Sequence, residues 1–176
     1  MKGYWNSLIL SAVMFVASAL LAQAEEGTVK ATSAWVGQGQ FFQVKEKQAL
    51  FAGAFEGIMF VERKEGDLDA AKIVCPGMVE VNVDDGMQSG EGRCIIMARS
   101  GDRIYARWNC AGEHLRGCAG AFILLGGTGK FKDITGKSDF EVRSNIAEYV
   151  VTIPGDRVQA TASGVAVWPA LTYKLP

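Results

Sequence analysis

The sequence has one histidine, four prolines and four cysteines in 176 residues, and it holds no long run of like charge. Each scarcity excludes something. A serine–histidine triad or an imidazole base would have to use His114, whose neighbours Gly112, Glu113 and Arg116 read as a loop tip, so a solvated histidine is expected. A zinc site would need that same residue with three thiolates. Asp84-Asp85 lacks the spaced carboxylates of a calcium loop, so no metal is expected. Eighteen basic against nineteen acidic residues, without a basic cluster, argues against nucleic acid. No Cys-x-x-Cys is present, which removes a thioredoxin-like pair and a covalent haem site. Beyond the first 24 residues no window of twelve shows a helical period, and no cofactor motif is found.

The longest apolar stretch runs from Leu8 to Leu21, too short for a membrane helix, which needs roughly 20 residues. Lys2 precedes it, and Ala22-Gln23-Ala24 follows, ahead of Glu25-Glu26. A charged start, an apolar centre and a small-residue cleavage site read as a secretory signal peptide, residues 1–24. No cysteine follows the apolar centre, so no lipid anchor is indicated. The expected mature chain, residues 25–176, is one domain, periplasmic or secreted, with no membrane insertion after cleavage.

What the sequence has in excess is glycine: 20 fall in residues 25–176, about twice the usual share of roughly 7%. They recur between short apolar runs, as turns do in all-β proteins. Strands are expected at Thr28–Gly37, Gln48–Glu62 (with a bend or bulge at Gly53 and Gly57), Lys72–Val83, Gly90–Arg99, Arg103–Cys110, Cys118–Leu125, Ser138–Arg143, Ala147–Ile153 and Val158–Val167. Turns are expected at Asp84-Asp85-Gly86, Ser100-Gly101-Asp102 and Pro154-Gly155-Asp156, with a polar connection at Gly66–Ala70. Such a chain must close into an antiparallel β-barrel of about eight strands or fold as a β-sandwich. Closure removes exposed edges, so the barrel is preferred.

In an exported chain four cysteines imply two disulfides, with three connectivities open. Cys75–Cys94 with Cys110–Cys118 is favoured, although the first pair looks offset by several residues around Gly86. Cys94–Cys110 is the competing pair. Candidate ligand residues come from polar strand faces. Arg103, Tyr105, Arg107 and Asn109 share one face, opposite Ile104, Ala106, Trp108 and Cys110. Glu80 and Asn82 share a face of their strand, and Glu56 belongs to a third. If Glu56, Glu80, Asn82, Tyr105, Arg107 and Asn109 converge on a lumen, they form a ligand site. If they face solvent, they are ordinary exterior and Trp108 belongs to the core.

Gly126-Gly-Thr-Gly-Lys130 looks like a phosphate loop, but Phe131 follows the lysine and no helix opens there. A structural turn is the better reading. Together with Cys110-Ala-Gly-Glu-His-Leu-Arg-Gly-Cys118 and Ile134-Thr-Gly136, that turn resembles the bacterial secreted allene oxide cyclase barrel-like proteins, a calycin-type group similar to dirigent proteins. The resemblance spans about half of residues 25–176. It implies an eight-stranded barrel whose lumen takes a small apolar molecule, and chemistry without a cofactor.

The function expected is therefore an exported barrel that binds a small apolar or aromatic ligand. The alternatives are a cofactor-free cyclase or isomerase using Glu80 with Asn82 or Asn109, and a structural protein of the cell envelope. No catalytic constellation is recognisable. The plant relatives implied by the resemblance associate through barrel surfaces, so a homo-oligomer is compatible with it.

Overall fold

In the computed structural model, residues 25–62, 66–145, 150–152 and 158–176 are described, the short segment 150–152 by its backbone alone. The leader and the Pro154-Gly155-Asp156 turn lie outside them, as does most of the Ala147–Ile153 strand. The strands are β1 (Glu26–Lys45), β2 (Gln48–Val61), β3 (Ala71–Asn82), β4 (Met87–Met97), β5 (Arg103–Glu113), β6 (Gly117–Gly127), β7 (Thr135–Ser144), β8 (Val150–Thr152) and β9 (Val158–Lys174). Each of the first six pairs antiparallel with the next. β9 then pairs with both β7 and β1, which closes a ring of eight strands. β8 is a three-residue addition on β9. The fold is a closed antiparallel β-barrel, all-β, and the sandwich is excluded.

Local chemistry sets the registers. Asn82 builds the β3–β4 turn: its Oδ1 accepts the Asp84 N–H at 3.0 Å and its Nδ2 donates to Asp85 Oδ2 at 3.0 Å. Asp85 Oδ1 accepts the Met87 N–H at 2.8 Å. These local bonds are the usual device by which Asn and Asp make turns. They centre the turn between Asp84 and Asp85 rather than at Gly86. Cys75 and Cys94 therefore stand opposite one another, between the pairs Val74↔Ile95 and Gly77↔Gly92. The expected offset is absent, and the disulfides are Cys75–Cys94 and Cys110–Cys118.

The bulges are elsewhere than Gly53 and Gly57, where β1 and β2 run in unbroken register from Ala31↔Val61 to Gln43↔Ala49. One extra residue enters β9 around Pro169, between Trp168 and Leu171. Proline has no N–H to give a ladder, and a bulge is one place a strand tolerates it. The bulge changes the alternation, so Trp168 and Leu171 are both buried. A second bulge sits at Leu125 in β6, next to Gly126 at φ +138.

The two ends of the barrel differ. One is filled by Met59, Ile96, Ile104, Leu124, Ile134 and Leu171, with Phe131 added from a short 3-10 turn, Gly129–Phe131. The Gly126–Lys130 segment is the lid over this end. Thr128 Oγ1 accepts the Arg103 N–H at 2.9 Å, and Asp102 Oδ2 accepts the Lys130 N–H at 3.4 Å. The supposed phosphate loop is thus occupied by the chain's own Asp102 carboxylate, held by the Lys130 N–H over the bare Gly129. The other end carries the turns at Glu46-Lys47 and Val83–Gly86 and the three-residue connection His114–Arg116.

Candidate lumen site

Of the six polar candidates only Glu56 borders the lumen, and none of the six has a buried side chain. Glu56 is exposed, and its Oε2 lies 3.3 Å from Lys72 Nζ on the outer wall. Glu80, Tyr105, Arg107 and Asn109 are exposed, and Asn82 is spent on its turn. The alternation was correct, but the inward face is the other one. Ile104, Ala106, Trp108 and Cys110 are all buried. Burying an arginine and an asparagine without partners would cost far more than burying these four.

On the outer wall Arg107 stands directly opposite Arg93. Like charges at such a position are destabilising. Arg107→Glu should therefore raise stability by roughly 0.2–1 kcal/mol, read as a higher urea midpoint. An unchanged or lower midpoint would show that the two side chains avoid each other at no cost.

The lumen itself is aromatic. A cavity of about 150 Å³ is walled by Trp35, Phe51, Phe55, Trp108, Phe140 and Trp168, with Phe122 among them and both disulfides in the wall. The rings meet edge to face: Trp35 with Phe55 at 5.6 Å, Phe55 with Trp108 at 6.0 Å and Phe122 with Trp168 at 5.4 Å between centroids. Phe140 and Trp168 stack at 6.3 Å. Such pairs add about 0.5–1.5 kcal/mol beyond their buried area.

Glycine makes room for this wall. A Cβ on Gly77 would lie 2.5 Å from the Trp108 ring, and one on Gly92 would lie 2.6 Å from its Nε1. The Trp108 indole thus lies flat over bare backbone of β3 and β4. The indole Nε1 atoms of Trp35, Trp108 and Trp168 are buried without an acceptor among the described residues. An unpaired buried donor costs about 1–3 kcal/mol. A ligand acceptor that reached one of them would recover that cost.

Polar groups touch the cavity mainly at the open end. Gln88, His114 and Ser144 lie there, and Ser33 stands deeper. His114 is half-buried rather than solvated. Its Nδ1 lies 3.3 Å from Gln88 Oε1, and its ring sits edge-on to Phe41 at 6.2 Å. Its own N–H donates to Gly86 O at 2.7 Å, which extends the β4–β5 ladder by one pair and fixes the start of the connection. Burial disfavours the imidazolium and holds its pKa below the ordinary 6.5.

The unfolded chain should then take up a proton near pH 6.5 before the folded one does. Stability is full above that value and declines as pH falls from it through the folded pKa. His114→Gln should flatten that part of the pH–stability curve, measured by thermal melts from pH 7.5 to pH 5. Equal slopes in both proteins would contradict the buried position.

Fold and site together define a closed eight-stranded barrel, plugged at one end and carrying a largely aromatic lumen at the other. No protein-family model and no curated protein matches the chain. Among solved structures, a pterocarpan synthase dirigent protein aligns over 96% of this chain and 99% of its own, at a TM-score of 0.42 and 10% identity. It is a dirigent protein, not an allene oxide cyclase, and a likeness at that level carries no weight for function.

Proposed function

We propose that residues 25–176 are a single exported barrel domain that holds a small, uncharged, apolar or aromatic molecule in its lumen. The observation that carries this reading is the cavity wall of three tryptophans and five phenylalanines, with Gln88, His114 and Ser144 at the mouth. Its volume of about 150 Å³ is below the 300–1,000 Å³ typical of drug-sized sites, which favours a ligand of about one ring. Among the described residues the one charged side chain bordering it is Glu56, whose carboxylate is paired with Lys72 on the outer wall, so an ionic ligand would lose its hydration with little in return.

Two disulfides support residence in an oxidising compartment, periplasmic or secreted. A cyclase using Glu80 and Asn109 loses its support, since both face solvent. A purely structural barrel would have no use for the space left above Phe122.

Native mass spectrometry of protein taken from its own compartment tests the reading. A one-to-one adduct of a small neutral compound, released on denaturation, is expected. A clean apo mass, together with no uptake of added one-ring compounds, would contradict it.

A further inference from the structure

Most cations on the outer wall already have a partner. Among the described residues, Lys30, Lys47, Lys72, Arg99, Arg116, Lys130, Arg143 and Lys174 each meet a carboxylate. Arg93, Arg103, Arg107 and Lys137 do not, and all four stand exposed on the face formed by β4 to β7. Arg93 lies opposite Arg107, Arg107 opposite Ile123 and Ile123 opposite Lys137, one outward row across four strands. Arg103 stands four residues from Arg107 on β5, with Tyr105 between them, 38% exposed and opposite Ile95. From strand rise and spacing, this basic frame measures roughly 15 Å by 13 Å. In the sequence the four cations are scattered, and only strand pairing assembles them. The next outward row, toward the mouth, sets Glu91 opposite Asn109, with Ala121 between Asn109 and Asp139. Two arginines placed directly opposite oppose folding. A chain of net charge −1 has carboxylates enough to pair them, yet none is in reach.

We propose that this face binds an acidic carbohydrate, a chain of uronic acid units. Each part of the surface selects for that chemistry. The guanidinium forks of Arg93 and Arg107 match a carboxylate in the bidentate geometry that makes such contacts strong. Arg103 and Lys137, at the far ends of the frame, meet the carboxylates of neighbouring units. The exposed ring of Tyr105 offers its electron-rich face to the C–H hydrogens of a sugar ring. Glu91, Asn109 and Asp139 supply oxygens that accept hydrogen bonds from hydroxyl groups. An acidic peptide would bring the carboxylates without the hydroxyls, and would meet Glu91 and Asp139 as like charges. A neutral sugar would leave both arginines as they are. The inference stands apart from the lumen and survives if the lumen binds nothing.

Titrating ¹⁵N-labelled protein with a galacturonate pentamer at low salt is the test. Amide shifts should concentrate at Arg93, Tyr105, Arg107 and Asn109, while the indole signals of the lumen stay in place. Binding should weaken as added salt shortens the Debye length from about 30 Å to about 3 Å. Arg93→Gln/Arg107→Gln should keep or raise the thermal midpoint, because the repulsion is relieved. The same variant should weaken binding at least about tenfold, the usual consequence of losing hydrogen bonds to a charged group. A galacturonate pentamer that shifts nothing on this face would overturn the proposal, as would full affinity in the double variant. Equal binding of a neutral galactose pentamer would also overturn it. So would equal binding of a glutamate pentapeptide, which would give the face to an acidic protein.

Discussion

Phe122→Ala should destabilise the barrel by about 3–5 kcal/mol. Phe122 is 1% exposed and packs edge-on against both Trp168 and Phe140 at the base of the cavity. Its removal cannot be repaired by collapse, because its neighbours are held by strands that close on themselves. The space it leaves joins the existing cavity. Urea unfolding should show a lower midpoint with an unchanged slope, and the variant should accept a larger ring than the wild type does. A loss below about 1 kcal/mol would mean that the wall is not packed as described.

Removing the disulfides should be almost as severe. Cys75–Cys94 ties β3 to β4 across a sequence separation of 19, and Cys110–Cys118 ties β5 to β6 across 8. Each should be worth about 2–4 kcal/mol, the longer loop slightly more, since the entropy a crosslink removes from the unfolded chain grows with the logarithm of the loop it closes. Against a total of about 5–15 kcal/mol, loss of both leaves the barrel marginal. The measurement is the melting midpoint of Cys75→Ala/Cys94→Ala, of Cys110→Ala/Cys118→Ala and of all four together. A midpoint unmoved by the first pair would contradict its place in the closed wall.

Much of the fold was legible because strand alternation is a local property. Val79 and Val81 on one face of β3, and Ile104 through Cys110 on one face of β5, need no partner to be seen. Strand ends were less legible. Gln38–Lys45 carries amides and a glycine with little strand propensity of its own, yet it is strand because β2 flanks it along most of its length and β9 as far as Phe41. Likewise β9 continues through Pro169 because a bulge absorbs the missing donor. The turn centre at Asp84-Asp85 depended on side-chain bonds from Asn82 and Asp85, and misplacing it gave the false offset between Cys75 and Cys94.

The site was harder to read, for a physical reason. One strand states that two faces differ but not which of them the ring encloses. The polar face of β5 was a lumen site only if it looked inward, against the apolar-in default of a small barrel, and Trp108 looked like filling. Whether a tryptophan fills a core or walls a cavity depends on the volume left by other strands, here on Gly77, Gly90 and Gly92 beneath its ring. His114 looked solvated because its immediate neighbours are polar. The contacts that bury it, with Gln88 and Phe41, come from β4 and β1.

The central claim is that the lumen is open to a small apolar molecule through the His114 end. The chain's four tryptophans are Trp5, within residues 1–24, and Trp35, Trp108 and Trp168, all three in the cavity wall. Residues 25–176 thus carry three indole N–H reporters, every one inside. Titrating ¹⁵N-labelled protein with toluene while following those three resonances is the direct measurement. All three should shift together and saturate at one equivalent bound, while amides on the outer face of β5 stay in place. Three indole signals unmoved at saturating toluene would show that the lumen is closed to ligand, and the account of its function would fail.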